Sequence, residues 1–180
     1  QDIKAYLVKK IIFSLINQPN FKILLDRIHN KRKRSSIKDY LLKEFPNSQF
    51  KGSIYSVEHH TAHMSSTFHV SPFDDAVVVS IDGFGDFASA AWGVGQGIKI
   101  NLDDRVYFPH SLGIFYQALT QYLGFNNYGD EYKIMGLAPY GKPIYIEQMR
   151  EIVKLKNDGK YELNLNYFRH HREKIDYKWE

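Results

Sequence analysis

The run Ala-Val-Val-Val-Ser-Ile at positions 76–81 constrains this chain more than any other stretch. It is apolar and mostly β-branched, and it is bounded by Asp75 on one side and Asp82-Gly83 on the other. That is the pattern of a strand buried on both faces. Such a strand must be covered by other layers, and segments of helical period flank it. Ahead of it, Ile3, Tyr6, Leu7, Ile11 and Leu15 recur at helical spacing and stop before Pro19. A second helix is expected over residues 20–29. A third starts at Ser36, with Asp39 in a variant of the capping box, and ends before Pro46. Residues 53–57 read as strand and lead into a short helix through Met64 and Phe68. Residues 87–94 turn at Gly95-Gln96-Gly97 into Ile98, Ile100 and Leu102, a hairpin. Helices are expected over 111–122, with Leu112, Phe115, Tyr116, Leu119 and Tyr122 on one face, over 131–137, and over 144–156. Asn157-Asp158-Gly159 then turns into the alternating strand Tyr161, Leu163, Leu165, Tyr167. The class is α/β, and 180 residues fit one domain on a scale of roughly 150 residues each.

Composition narrows the function classes. The chain is 43% hydrophobic and 24% charged, enough for a core and ordinary for a globular protein. It has no cysteine, so disulfides, thiolate metal sites and cysteine nucleophiles are excluded, and any metal must be held by His and carboxylate. The absence of cysteine suits the cytoplasm, the expected compartment. Much of the net charge of +4 comes from Lys31, Arg32, Lys33 and Arg34, with Arg27 and Lys38 on either side. No aromatic residues interleave with this run, so it reads as a solvated loop, and nucleic acid is not an expected partner. The most apolar early stretch, 5–16, is interrupted by Lys9 and Lys10 and falls short of the roughly 20 apolar residues of a membrane span. No membrane association is expected.

The chemistry concentrates in Val57-Glu-His-His-Thr-Ala-His63. His59 and His63 are four apart, so on a helix they point the same way and can share a cation. His60 is rotated by about 100° from His59 and falls outside that pair. A lone pair of this kind is weak evidence, because helical histidines are more often hydrogen-bonded or exposed. Asp82 strengthens it by placing a carboxylate at the end of the apolar strand, where ligands bind in open α/β sheets. A turn-forming Asp-Gly explains the same residue equally well. Two imidazoles and a carboxylate suit divalent iron, manganese or zinc and leave positions for further ligands. Asp82-Gly-Phe-Gly-Asp86 would also let backbone N–H groups approach a phosphate, although a tight hairpin accounts for its glycines too.

These residues carry a family resemblance. Val57-Glu-His-His-Thr-Ala-His63, Ser80-Ile-Asp-Gly-Phe-Gly85, His110-Ser-Leu-Gly-Ile-Phe-Tyr116 and Tyr122-Leu-Gly-Phe125 follow one another in order. With Asp130-Glu-Tyr-Lys-Ile-Met-Gly-Leu-Ala-Pro-Tyr-Gly141 they resemble the O-carbamoyltransferases of nodulation-factor and antibiotic biosynthesis. The likeness runs from about residue 50 to 143, with Leu163-Asn-Leu-Asn-Tyr-Phe-Arg-His-His171 fitting as well. Residues 1–45 share only a helical pattern with that family.

The resemblance implies an actin-like ATPase fold of the ribonuclease H-like type, of which the chain would be the first half of a large domain. Residues 1–50 would be a helical lead-in, and 51–180 the metal and nucleotide segment of a larger catalytic domain. It implies ATP and carbamoyl phosphate combining to carbamoyladenylate, with the carbamoyl group then passed to a hydroxyl of a small molecule or sugar. It also implies iron(II) as the metal, with His59, His63 and Asp82 matching its ligands and a fourth carboxylate supplied from a later half. The acid/base residue is expected outside this chain, so no catalytic residue is assigned and the fragment alone is expected to be inactive.

Glu131 and Lys133 are candidates for nucleotide or acceptor contacts, against the alternative of a surface ion pair on a helix. His110 and Ser111 precede a helix whose N–H groups favour an anion, against the alternative of a plain cap. His170 and His171 lie between Arg169 and Arg172 and read as a solvated basic edge. Two other functions compete: threonylcarbamoyl transfer to tRNA on the same fold, and a non-catalytic binding module with structural histidines. A simple metallohydrolase would need a Glu base beside the pair, and Glu58 precedes both histidines.

Overall fold

A computed structural model of the chain places the apolar run in strand β1 (Asp75–Gly85), as its β-branched composition favours. The structure describes residues 8, 11–12, 37–47 and 51–173. The chain divides into two units, residues 57–168 with 175–180, and residues 1–56 with 169–174. In the latter, helix α1 (Ile37–Glu44) carries Asp39 in its first turn and Lys43 in its last, matching the helix dipole at both ends. The helices expected over 3–16 and 20–29 and the basic run 31–34 lie outside the described residues, apart from helical Val8, Ile11 and Ile12.

The larger unit is mixed α/β, built on an antiparallel meander of β1, β2 (Ala88–Gln96) and β3 (Lys99–Tyr107), in the order β1-β2-β3. Val79 pairs with Trp92 and Ile81 with Ala90, then the register shifts before Gly85 pairs with Ala88. This irregularity falls on Asp82-Gly83-Phe84, where a bulge re-aims side chains at the strand's end. Asp86 and Phe87 close the hairpin with φ of 48° and 75°. Two consecutive positive φ values give the twist that suits a two-residue β-turn. The β2–β3 turn falls at Gly97-Ile98, so Gly95, expected in the turn, lies inside β2 opposite Ala76 and Ile100.

Helix α2 (His59–Phe68) packs on one face of the meander. Its buried residues, His60, Met64 and Phe68, are spaced four apart and form one stripe. Met64 and Phe68 meet Val78 and Ala91 in a core that excludes water from all four. Helix α3 (Leu112–Tyr122) follows β3. Its Ile114 joins Leu163 and Phe168 in another cluster, while Tyr161 packs with Ala90 and Val106. Helix α4 (Glu131–Leu137) and helix α5 (Ile146–Ile152) lead to a small hairpin of β4 (Val153–Leu155) and β5 (Tyr161–Leu163). No helix among the described residues is long and apolar enough to cross a membrane.

Several expectations are corrected. Strand β1 is buried on one face only, since Val77, Val79 and Ile81 are 74%, 56% and 57% exposed while Val78 and Ser80 are buried. Among the described residues it is an edge strand, and α2 covers only its even-numbered side. Residues 53–57 form no strand, and Ile54, Tyr55 and Val57 are exposed without a partner strand to pair them. The helix expected over 144–156 stops at Ile152, because Val153 and Leu155 pair with Leu163 and Tyr161. Strand character likewise ends at Leu163. Asn164 accepts a hydrogen bond from the Asn166 N–H and turns Leu165–Tyr167 into a 3₁₀ turn. On α3 the buried residues are Ile114 and Thr120, and Tyr122 is exposed.

Candidate metal centre

The site lies where the first turns of α2 meet the irregular end of β1. The N-cap of α2 is Glu58, whose carboxylate accepts from the Thr61 N–H at 2.7 Å and from its hydroxyl at 2.8 Å. Arg105 on β3 lies 3.6 Å from the other oxygen. Burial pushes the Glu58 carboxyl up, but the Thr61 bonds and the Arg105 charge outweigh it and leave it below the usual range. The His59 N–H, another orphan donor of the first turn, is taken by Asp86 Oδ2 at 3.0 Å. Two carboxylates thus fix the start of the helix that carries the histidines, and one of them sits in the β1–β2 turn.

Three donors converge there. His59 Nε2 lies 2.7 Å from Asp82 Oδ2, His63 Nε2 lies 3.1 Å from His59 Nε2, and His63 Nε2 lies 3.7 Å from Asp82 Oδ2. Among the described residues, this is the group of His and carboxylate side chains close enough to hold a metal together. The other Asp82 oxygen accepts the Gly83 N–H at 2.6 Å, which fixes the carboxylate's plane. Burial raises the Asp82 carboxyl, but the bonds from His59 and Gly83 and the nearby imidazoles prevail and hold it below the usual carboxylate range.

A cation fits this donor set. A proton on His59 Nε2 can serve Asp82, but His63 Nε2 then faces an N–H already in use, and without it a bare nitrogen faces the carboxylate. At most one proton fits between the two facing ring nitrogens, and the carboxylate beside them adds further lone pairs. A divalent ion would satisfy all three. Ligands bound at 2.0–2.2 Å in a tetrahedron stand about 3.4 Å apart, between the two longer distances here. His60 is not one of them. It is fully buried under α2, with Nδ1 at 2.8 Å from Ser80 Oγ.

Glycine makes the close approach possible. A Cβ at Gly85 would overlap the face of the His59 ring, against Cδ2, Cγ and Nε2. A Cβ at Gly113 would come within 2.7 Å of the Gly83 nitrogen, so the start of α3 rests directly on the Asp82-Gly83 backbone. Ser111 caps that helix by accepting the Ile114 N–H at 3.1 Å, and its hydroxyl reaches the Gly83 carbonyl at 2.7 Å and the Asp82 carbonyl at 3.1 Å. A cavity of about 570 Å³ opens beside Asp82, walled by Gly83, Gly113, Tyr116, Tyr128 and Glu131.

The other sequence candidates separate in role. Glu131 stands on the cavity wall with Asp82. Lys133 pairs with Asp130 at 2.7 Å, three residues back, rather than with Glu131. His110 accepts the Leu163 N–H on Nδ1 at 3.1 Å and so anchors β5. His171 is buried, not solvated as the run of basic residues implied, and burial with the Arg172 charge pushes its imidazole down. The sequence reading passed over Asp86, Gly85 and Gly113 as site residues. Their signal was a carboxylate and two glycines within a few positions of Asp82 or of the following helix start.

Comparison with known proteins matches residues 9–177 to the family described as carbamoyltransferase N-terminus. The nodulation protein NolNO of Sinorhizobium fredii is 34% identical over 155 residues, covering 84% of this chain and 22% of its own length. The nodulation protein NolO of Bradyrhizobium diazoefficiens is 42% identical over 113 residues, 61% of this chain and 20% of its own. An uncharacterized protein of Synechocystis is 46% identical over 112 residues, 62% of this chain and 18% of its own. The chain thus spans about a fifth of the length of the curated relatives it matches.

Proposed function

We propose a function from one premise: the chain belongs to the carbamoyltransferase family, whose N-terminal region it carries. Within that family, the chain supplies the metal half-site of an O-carbamoyltransferase. The enzyme would combine ATP, carbamoyl phosphate and water to carbamoyladenylate, with release of phosphate and pyrophosphate, and pass the carbamoyl group to the hydroxyl of a small molecule or sugar with release of AMP. Residues 1–180 would be part of a larger catalytic domain, with 51–180 carrying the metal and nucleotide segment on an actin-like fold. The antiparallel meander followed by α3 is compatible with that fold.

The observation that carries the reading is the convergence of His59 Nε2, His63 Nε2 and Asp82 Oδ2 within 4.8 Å of one another. These three would hold a divalent metal, iron(II) by family likeness, with other ligands completing the set. When bound, such an ion stabilises negative charge developing on oxygen during group transfer. The chain's own residues do the rest of the work at this place. Asp86 and Glu58 hold the first turn of α2 so that both imidazoles face β1. The Gly83 N–H keeps Asp82 turned toward them. Gly83, with nothing within 4 Å of where a Cβ would stand, leaves the backbone beside the cavity bare, so an anionic group can come close to it. The cavity has the volume typical of small-molecule sites, about 300–1,000 Å³. Its wall of Tyr116, Tyr128 and Glu131 offers ring faces and one acceptor to a nucleotide or acceptor.

The test uses the full-length protein loaded with iron(II) and given ATP and carbamoyl phosphate. Pyrophosphate and carbamoyladenylate are expected to appear, and to vanish with Asp82→Asn. A metal-loaded protein that releases no pyrophosphate above background contradicts the reaction.

A further inference from the structure

We infer that His60 is a positioning residue for the metal centre, acting through its buried hydrogen bond to Ser80; this rests on His59, His63 and Asp82 being the metal's ligands. The three donors come from two elements, two from α2 and one from β1. Their spacing therefore depends on how α2 sits along and across β1. The apolar contacts under α2, Met64 and Phe68 against Val78 of β1 and Ala91 of β2, are non-directional and tolerate sliding. The His60–Ser80 bond, 2.8 Å long, is directional. Ser80 lies two residues before Asp82, and His60 lies between His59 and His63. One bond thus ties a residue next to His59 and three before His63 to a residue two before Asp82.

The chemistry of the bond supports a role beyond packing. His60 is 0% exposed, and its Nε2 is buried with no hydrogen-bond partner. Whichever tautomer Nδ1 adopts toward Ser80, Nε2 is left with an unpaired proton or an unpaired lone pair. An aromatic hydrocarbon in the same stripe as Met64 and Phe68 would avoid that desolvation penalty. The polar ring therefore weakens the core while fixing the register of the helix that bears the site. Groups that orient ligands without touching the metal commonly contribute 10–100-fold to metal affinity.

The experiment titrates the full chain with cobalt(II), reading the visible ligand-field spectrum and the dissociation constant by chelator competition, with a thermal melt of each variant. His60→Phe keeps an aromatic ring, slightly larger, and deletes the bond; Ser80→Ala deletes it from the other side; His60→Asn restores a polar atom at the Nδ1 position. Both deletions are expected to weaken cobalt(II) binding by about 10–100-fold and to shift the spectrum. The double variant should be no weaker than either single one, because both remove the same bond. His60→Asn should recover affinity to within a few-fold of the parent. The melting temperature of His60→Phe should equal or exceed the parent's, which separates loss of positioning from loss of folding. Folded deletions that keep the parent's affinity and spectrum overturn the inference. A parent chain that binds no cobalt(II) overturns the metal site beneath it.

Discussion

Replacing Gly85 with alanine puts a methyl group in place of a hydrogen where the His59 imidazole lies. The Cβ would overlap the ring face, so either strand β1 retreats or His59 swings away. Retreat strains the Gly85–Ala88 pairing and the Asp86 bond to the His59 N–H, an overpacking cost of about 1–3 kcal/mol. A swing of the ring breaks the 2.7 Å contact to Asp82 and would remove one of the three proposed protein ligands. Disturbing an orienting partner alone costs about 10–100-fold in metal affinity. Losing the ligand should cost at least the upper figure, or about 2.8 kcal/mol at 1.4 kcal/mol per decade. Chelator competition in the full chain measures this, with urea unfolding to report stability. The decisive control is the same substitution in a His59→Ala background. There the ring is gone, and Gly85→Ala should add less than about 0.5 kcal/mol to the binding loss. Gly85→Ala binding metal within threefold of the parent, or costing the same in both backgrounds, would refute a ring held against this glycine.

Other outcomes follow from the same geometry. Met64→Ala, at a fully buried position against Val78 and Ala91, should lower unfolding free energy by about 2–5 kcal/mol in urea titration; a loss below about 1 kcal/mol would mean that core is not the anchor of α2. Ser111→Ala removes the cap of α3 and the link to the Asp82 and Gly83 carbonyls, and should cost about 1–2 kcal/mol, read as a drop in melting temperature; no drop would contradict the bonded role. The Lys133 hydrogen bond holds the Asp130 carboxyl below its ordinary pKa. Its contribution is therefore full above about pH 3.9 and is lost as pH falls through the folded value. Asp130→Asn should flatten the acid limb of a stability–pH curve taken from unfolding midpoints, and an unchanged limb would show that the pair contributes nothing.

What the sequence revealed and what it hid have physical reasons. The three donors were legible because i,i+4 geometry and the end of a β-branched run are local properties. His60 was recognised as facing elsewhere, and His60, Met64 and Phe68 fall at a core-facing helical spacing. Its partner Ser80 was not legible, because that bond depends on how α2 is laid on β1. The one-sided burial of β1 was hidden for a related reason. Val77, Val79 and Ile81 are as apolar as a two-sided strand demands, and composition does not state what covers a face. Val153 and Leu155 read as the end of a helix until Tyr161 and Leu163 were there to pair with them. Gly85 read as one glycine of a tight hairpin, since only the ring of a residue 26 positions earlier explains why a side chain is excluded.

The central claim is that His59, His63 and Asp82 hold one divalent ion in a carbamoyltransferase. Metal analysis of the full-length protein, purified without a histidine tag and dialysed against metal-free buffer, tests it directly. About one iron per chain is expected, falling to background in His63→Ala and in Asp82→Asn while both variants keep their fold by circular dichroism. A parent protein without bound metal, or an Asp82→Asn variant that retains it in full, would contradict the account.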